Sequence, residues 1–139
     1  MRILILEDDT EFSELLQMDL EGSGHQVDLC ETGTEAFDKL EDAPYDLLIA
    51  DIYIWREGSV RTDGGLLVTG RMSALRLSDK TDPRAAMKII VMSGAVSRPG
   101  QSHILEVAAT MGADAVLAKP FSSDDLHRTI NRLMPDQAS

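Results

Sequence analysis

Five side chains that could act together on a phosphate group stand directly after short apolar runs of the sequence. The runs number five, and the side chains follow four of them: Glu7 and Asp8 the first, Asp51 the third, Ser93 the fourth and Lys119 the fifth. Three carboxylates held close together repel one another, so the group needs a shared proton or a bound cation. Mg²⁺ suits such a cluster, because it takes hard oxygen ligands and also binds phosphate oxygens.

The chemistry that fits these residue types is phosphoryl transfer to a carboxylate. Asp51 is a credible nucleophile, since carboxylates form aspartyl-phosphate intermediates. Lys119 would supply a fixed positive charge and Ser93 a hydroxyl donor, which match the positioning and charge stabilisation that this transfer requires. Each residue also has an ordinary alternative: helix capping, an Asx-turn, a loop serine or a solvated lysine. Those alternatives must hold separately at four strand ends.

The elements that must position these residues follow from the spacing of apolar residues. Continuous apolar runs predict five buried strands, at 3–6, 27–30, 47–50, 87–92 and 115–117. Apolar residues at helical spacing predict helices between and after them, at 12–20, 34–40, 66–77, 104–111 and 126–133. This alternation predicts an α/β fold with a doubly wound parallel sheet, whose ligands bind beyond the carboxyl ends of the strands.

Length, charge and cysteine content limit the class of protein. The chain has 139 residues and a net charge of −11, which disfavours direct binding to nucleic acid or to an anionic membrane. Cys30 is the only cysteine, and no stretch resembles a signal peptide or a membrane span, so we expect a cytoplasmic protein. We expect one domain at 1–134 and a short tail at 135–139, with no attached output module.

Ordered motifs make the chain resemble the receiver domain of response regulators, the CheY-like domain of two-component signalling. The matching segments read ILILEDD at 3–9, DLLIADI at 46–52, MSG at 92–94 and KPF at 119–121. The resemblance spans 2–134 and implies a five-stranded sheet in the order 2-1-3-4-5 with five helices.

The resemblance also implies a role for each site residue. Asp51 matches the phosphorylated aspartate, Ser93 the switch hydroxyl and Lys119 the active-site lysine, with a cis Lys119–Pro120 peptide. The implied Mg²⁺ ligands are side chains and one main-chain carbonyl: Glu7, Asp8, Asp51 and the carbonyl of Tyr53.

The implied partners are proteins. A histidine kinase or a histidine phosphotransfer protein would donate the phosphoryl group, and output would come from binding an unidentified downstream protein, with the face around 104–111 and 126–133 as our candidate surface. The chain would be no enzyme beyond catalysing its own phosphorylation and dephosphorylation. Homodimerisation through the same face is left open by the sequence.

Three departures from the family pattern bear on function. Trp55 stands where a proline is usual, and the segment 53–62 reads as a polar loop inserted beside the site. The loop would either shield the phosphate or shape a partner surface, or it is a tolerated surface insertion. Val116 replaces the switch aromatic, which puts the usual output coupling in question. Tyr53 lies, by resemblance, beside the attacking water, and we hypothesise that it slows hydrolysis; a Tyr53→Asn variant should then lose phosphate faster.

Two other functions compete with a phosphorylated receiver. A phosphatase of the haloacid-dehalogenase type would need a second aspartate at position 53, which is tyrosine, so turnover of a phosphomonoester should be absent. The second alternative is an adaptor that kept the fold but lost phosphorylation. Mg²⁺ should stabilise a working receiver and not such an adaptor, because an ion that binds the native state raises stability.

Overall fold

The computed structural model describes residues 1–51, 54–56, 59–61, 65–93 and 112–135. In chain order its helices and strands are β1 (Arg2–Leu6), α1 (Thr10–Gly22), β2 (Gln26–Cys30), α2 (Gly33–Asp42), β3 (Leu47–Asp51), β4 (Ile54–Arg56), β5 (Ser59–Arg61), α3 (Gly65–Ser78), a 3₁₀ turn (Pro83–Ala86), β6 (Lys88–Ser93), β7 (Ala115–Ala118) and α4 (Ser123–Leu133). The predicted helix at 104–111 and the carbonyl of Tyr53 lie outside the described residues, as does the tail beyond Pro135.

Five of the strands form one parallel sheet in the order β2-β1-β3-β6-β7. This confirms the predicted order 2-1-3-4-5, because β6 and β7 are the fourth and fifth strands of the prediction. The order changes direction between β1 and β3, and their carboxyl ends therefore border the crevice where such sheets bind ligands.

Both faces of the sheet are covered by helices, which explains why its strands read as continuous apolar runs. One face packs against α2 and α3, through side chains that include Leu4, Leu48 and Val91. The other packs against α1 and α4, through side chains that include Ile3, Ile49 and Ile90. All six of these side chains are fully buried.

Helix α1 begins at a side-chain cap. The carboxylate of Asp9 accepts a hydrogen bond from the main-chain N–H of Phe12, at 3.2 Å, and so replaces one of the partners that a helix start lacks. The helix buries Leu16 and Leu20 against the sheet. Leu15, which shares their apolar spacing in the sequence, is instead 65% exposed, because the helix turns it past the edge of the buried stripe.

The sequence predicted a polar loop between β3 and α3, but the described part of this segment contains two short strands. Strands β4 and β5 form a two-stranded antiparallel ribbon in which Trp55 pairs with Val60. The reason is visible in composition: Ile54, Trp55 and Val60 favour strands, and only two residues separate the strands, the commonest hairpin length. The described part of the expected insertion is therefore an element of its own that follows β3 in the chain.

A charged network joins α3 to the starts of β6 and β7. The guanidinium of Arg76 donates to both carboxylate oxygens of Asp114, at 2.7 and 3.3 Å, and to the main-chain carbonyls of Gly112 and Met87. The Asp114 carboxylate also accepts from the N–H of Ile89 at 2.7 Å. These contacts fix where β7 begins relative to its neighbour.

No helix in the described part of the chain is both long and apolar enough to cross a lipid bilayer.

Candidate functional site

The carboxyl ends of the parallel strands bring the predicted site residues to one edge of the sheet. Carboxylate oxygens of Glu7, Asp8 and Asp51 all lie within 4.8 Å of one another. Glu7 and Asp8 follow β1, and Asp51 is the last residue of β3. Strands β1 and β3 are neighbours in the sheet. Glu7 and Asp8 are adjacent in sequence and Asp51 lies 44 positions after Glu7. The three acids nevertheless form one cluster, as predicted from their positions at the ends of strands.

Lys119 links two members of this cluster. Its ammonium Nζ donates to Glu7 Oε1 at 2.9 Å and to Asp51 Oδ2 at 3.0 Å, and its side chain is only 21% exposed. Burial alone would lower the pKa of Lys119, but the Asp51 and Glu7 carboxylates outweigh burial and raise it. The ammonium is therefore a fixed positive charge at neutral pH.

Glu7 is the most deeply buried acid of the cluster, with 2% of its surface exposed. Burial, followed by the neighbouring Asp51, raises the pKa of Glu7 from 4.5 to about 8, against the opposing effect of Lys119. Its second oxygen, Oε2, is buried and receives no hydrogen bond from the described residues. In the absence of a cation, Glu7 thus keeps a proton near Asp51 at neutral pH, even though its other oxygen accepts from Lys119.

These properties fit a hard divalent cation. Mg²⁺ is usually held by one or two carboxylates together with water and phosphate oxygens, and it would replace the proton that the crowded acids otherwise require. Glu7 Oε2, which is buried and has no hydrogen-bond partner among the described residues, could bind the ion once Glu7 has lost its proton. Asp8 is half-buried and presents a third carboxylate at the rim.

Ser93 and the Lys119–Pro120 peptide complete the edge. Ser93 is the last residue of β6 and is 1% exposed, and its main-chain carbonyl accepts from the N–H of Lys119 at 2.8 Å. The Lys119–Pro120 peptide is cis, as predicted from the resemblance. Val116, which holds the position of the switch aromatic, is half-buried in β7 and pairs with Val91.

One neighbour of the site was missed by sequence reasoning. The ring of Phe12 lies against Lys119, with 4.6 Å between the ring centroid and Nζ. The sequence analysis placed Phe12 only within the apolar spacing of α1. A signal was present, since Phe12 stands three residues after Asp9 and therefore on the first helical turn beyond the acidic pair.

The chain was compared with protein families, with curated proteins and with solved structures. The family model for the response regulator receiver domain matches residues 3–131. The response regulator receiver protein CpdR of Brucella abortus is 28% identical over 138 residues, which covers 96% of both chains. The virulence transcriptional regulatory protein PhoP of Salmonella typhimurium is 29% identical over 134 residues.

Coverage differs between these relatives. The match takes in 96% of this chain but 52% of PhoP, so the chain spans about half the length of several curated relatives. Among solved structures, the response regulator TrrA of Thermotoga maritima, in complex with Mg²⁺ and BeF, is 30% identical, with a TM-score of 0.71 over 95% of this chain and 97% of TrrA. The matched family, the sheet order and the acidic edge agree, and the chain belongs to the response regulator receiver domain family.

Proposed function

We propose that Asp51 accepts a phosphoryl group from a phosphohistidine and that the phosphorylated chain signals by binding another protein. The observation that carries the proposal is the position of Lys119, whose ammonium contacts both Asp51 and Glu7 at the edge where three carboxylates meet. An ammonium fixed there can balance the negative charge of a phosphoryl group that arrives at Asp51. Family membership supports the same function.

The proposal includes Mg²⁺ bound by Glu7, Asp8 and Asp51, together with the main-chain carbonyl of Tyr53, which is implied by resemblance alone. The crowded carboxylates and the unpartnered Glu7 Oε2 support a cation at this position. TrrA, which was solved with Mg²⁺ and BeF, supports the same assignment by analogy. The ion would neutralise the cluster and bind an oxygen of the incoming phosphoryl group.

In the transfer itself, a carboxylate oxygen of Asp51 attacks phosphorus and forms a P–O bond. The P–N bond to the donor histidine breaks, and its electron pair stays on the imidazole nitrogen. The Lys119 ammonium then balances charge on the phosphoryl oxygens, and the Ser93 hydroxyl donates a hydrogen bond to one of them. In hydrolysis, water attacks phosphorus and the P–O bond to Asp51 breaks. The electron pair of that bond stays on the Asp51 carboxylate, and inorganic phosphate leaves with both protons of the water.

The donor would be a histidine kinase or a histidine phosphotransfer protein. Similarity to the response regulator receiver protein CpdR over 96% of both chains supports a receiver domain at 1–134. The candidate output surface around 104–111 and 126–133 stays a prediction. Leu126 and Ile130 are buried against the sheet, so a partner that binds α4 would contact the exposed face of this helix.

Intact-mass measurement after incubation with acetyl phosphate and Mg²⁺ tests the proposal. The parent should gain one phosphoryl group, and the Asp51→Asn variant should gain none. Asp46→Asn is the matched control, since Asp46 precedes the same strand at its opposite end and should leave phosphorylation intact. Equal phosphorylation of Asp51→Asn and the parent would refute the assignment, and chelation of Mg²⁺ should abolish the gain in the parent.

A further inference from the structure

Lys119 has a third neighbour besides its two carboxylates, and that neighbour is an aromatic ring. An ammonium carries three N–H donors, of which two point to Glu7 and Asp51. The Phe12 ring, 4.6 Å from Nζ, lies within the distance of about 6 Å at which a ring face attracts a cation. The ammonium is thus enclosed by two carboxylates and a π face.

The position of the Phe12 ring is itself determined from two directions. On one side, the Asp9 cap holds the Phe12 main chain in the first turn of α1, directly after the acidic pair. On the other side, Phe121 packs edge-on against the ring, with centroids 5.8 Å apart and planes at 73°. Because Phe121 lies two residues after Lys119, the aromatic pair connects α1 to the loop that carries the lysine.

We propose that Phe12 is a positioning residue for Lys119, holding the ammonium toward Asp51 so that it meets the transferred phosphoryl group. This inference rests on the proposed function, because it assigns Phe12 a part in the same phosphoryl transfer. A leucine in place of Phe12 would keep an apolar contact of similar kind and remove the π face. Without the ring, only the hydrogen bonds to Glu7 and Asp51 would hold the ammonium, and the long lysine side chain would gain rotamers that point its charge away from Asp51.

The first test is the rate of phosphorylation by acetyl phosphate with Mg²⁺, followed by intact mass. Phe12→Leu should slow the reaction by between about twofold and thirtyfold, the range that follows from the strength of exposed to desolvated cation–π contacts. Phe12→Trp, which restores a π face, should recover most of the loss. Phe37→Leu is the matched control, since Phe37 is half-buried beneath the guanidinium of Arg71 at 5.0 Å and packs on the opposite face of the sheet from Phe12.

The second test separates positioning from general packing. In a Lys119→Ala background, Phe12→Leu should leave the remaining rate unchanged, because its effect passes through the lysine. If Phe12→Leu slows the reaction by the same factor with and without Lys119, the ring acts on the fold and not on the ammonium, and the inference fails.

The third test is spectroscopic and does not require phosphorylation. The ε-methylene protons of Lys119 should resonate upfield in the parent because they lie near the ring face, and the shift should disappear in Phe12→Leu and persist in Phe37→Leu. If Phe12→Leu does not fold, Phe12→Met serves instead. An unshifted Lys119 signal in the parent overturns the inference, whereas a parent that is never phosphorylated but shows the shift overturns the proposed function alone.

Discussion

The Asp114→Ala substitution would remove the centre of the network that joins α3 to two strands. The Asp114 carboxylate receives two hydrogen bonds from Arg76 and one from the N–H of Ile89. The side chains of Arg76 and Asp114 are 23% and 19% exposed, so water could only partly replace the lost partner. Arg76 would keep its contacts to the carbonyls of Gly112 and Met87.

The size of the loss follows from what remains unpaired. A hydrogen bond to a charged group contributes about 1.5–3 kcal/mol, and breaking a fully buried ion pair costs about 3–5 kcal/mol. Since this pair is partly exposed, we expect Asp114→Ala to lower the free energy of unfolding by about 3 kcal/mol. Asp114→Asn should cost less, because its amide oxygen can still accept from Ile89.

Urea denaturation measures this change. With a slope of about 1–3 kcal/mol per molar urea, the midpoint should fall by at least about 1 M. Arg128→Ala is the matched control: Arg128 also pairs with an aspartate, Asp125, but at 3.8 Å with 75% exposure, and its loss should stay within about 0.5 kcal/mol. A loss below about 1 kcal/mol for Asp114→Ala, or one equal to that of Arg128→Ala, would refute the reasoning.

Three further predictions concern stability. Gly112→Ala should lower the free energy of unfolding, measured in urea, by about 2 kcal/mol, because Gly112 has a φ of +104° and an added Cβ would overlap Ser73 Oγ. Ser73→Gly in the same chain should return part of the loss, and no return would contradict the steric cause. Without Mg²⁺, the free energy of unfolding should fall as the pH rises from 4.5 to about 8, by up to about 1.4 kcal/mol per pH unit, because folded Glu7 keeps a proton that the unfolded chain has lost. Glu7→Gln should remove this slope. An unchanged slope in that variant would count against Glu7 as its source. Tyr45→Phe should cost about 1 kcal/mol by differential scanning calorimetry, because the Tyr45 hydroxyl donates to Asp28 at 2.6 Å; an unchanged melting temperature would show the bond to be replaced by water.

The parts of the fold that the sequence predicted are those governed by local patterns. A strand covered on both faces must be apolar at every position, so β1 and β3 were readable as continuous runs. Parallel strands end at one edge, and the gathering of Glu7, Asp51 and Lys119 at that edge followed from the topology alone. Such features need no knowledge of which side chains touch.

The parts that the sequence did not predict depend on tertiary contacts or on weak local signals. The ribbon of β4 and β5 has only three residues in each strand, too few for a periodicity to be distinguished from a polar loop. Leu15 and Leu16 are equally apolar, and only the position of α1 on the sheet decides that Leu15 is the exposed one. The contact between Phe12 and Lys119 joins residues that no spacing rule relates.

The hydrogen bond from Lys119 to Glu7 has a consequence for folding, because it joins residues 112 positions apart in the chain. Contacts of such long range form late, since a long loop must close before they can be made. Lys119 follows β7, which is the last strand in sequence and the outermost on its side of the sheet. During synthesis, a chain that has not yet produced β7 therefore carries clustered acids without their ammonium, and the site comes into being only with the completed sheet.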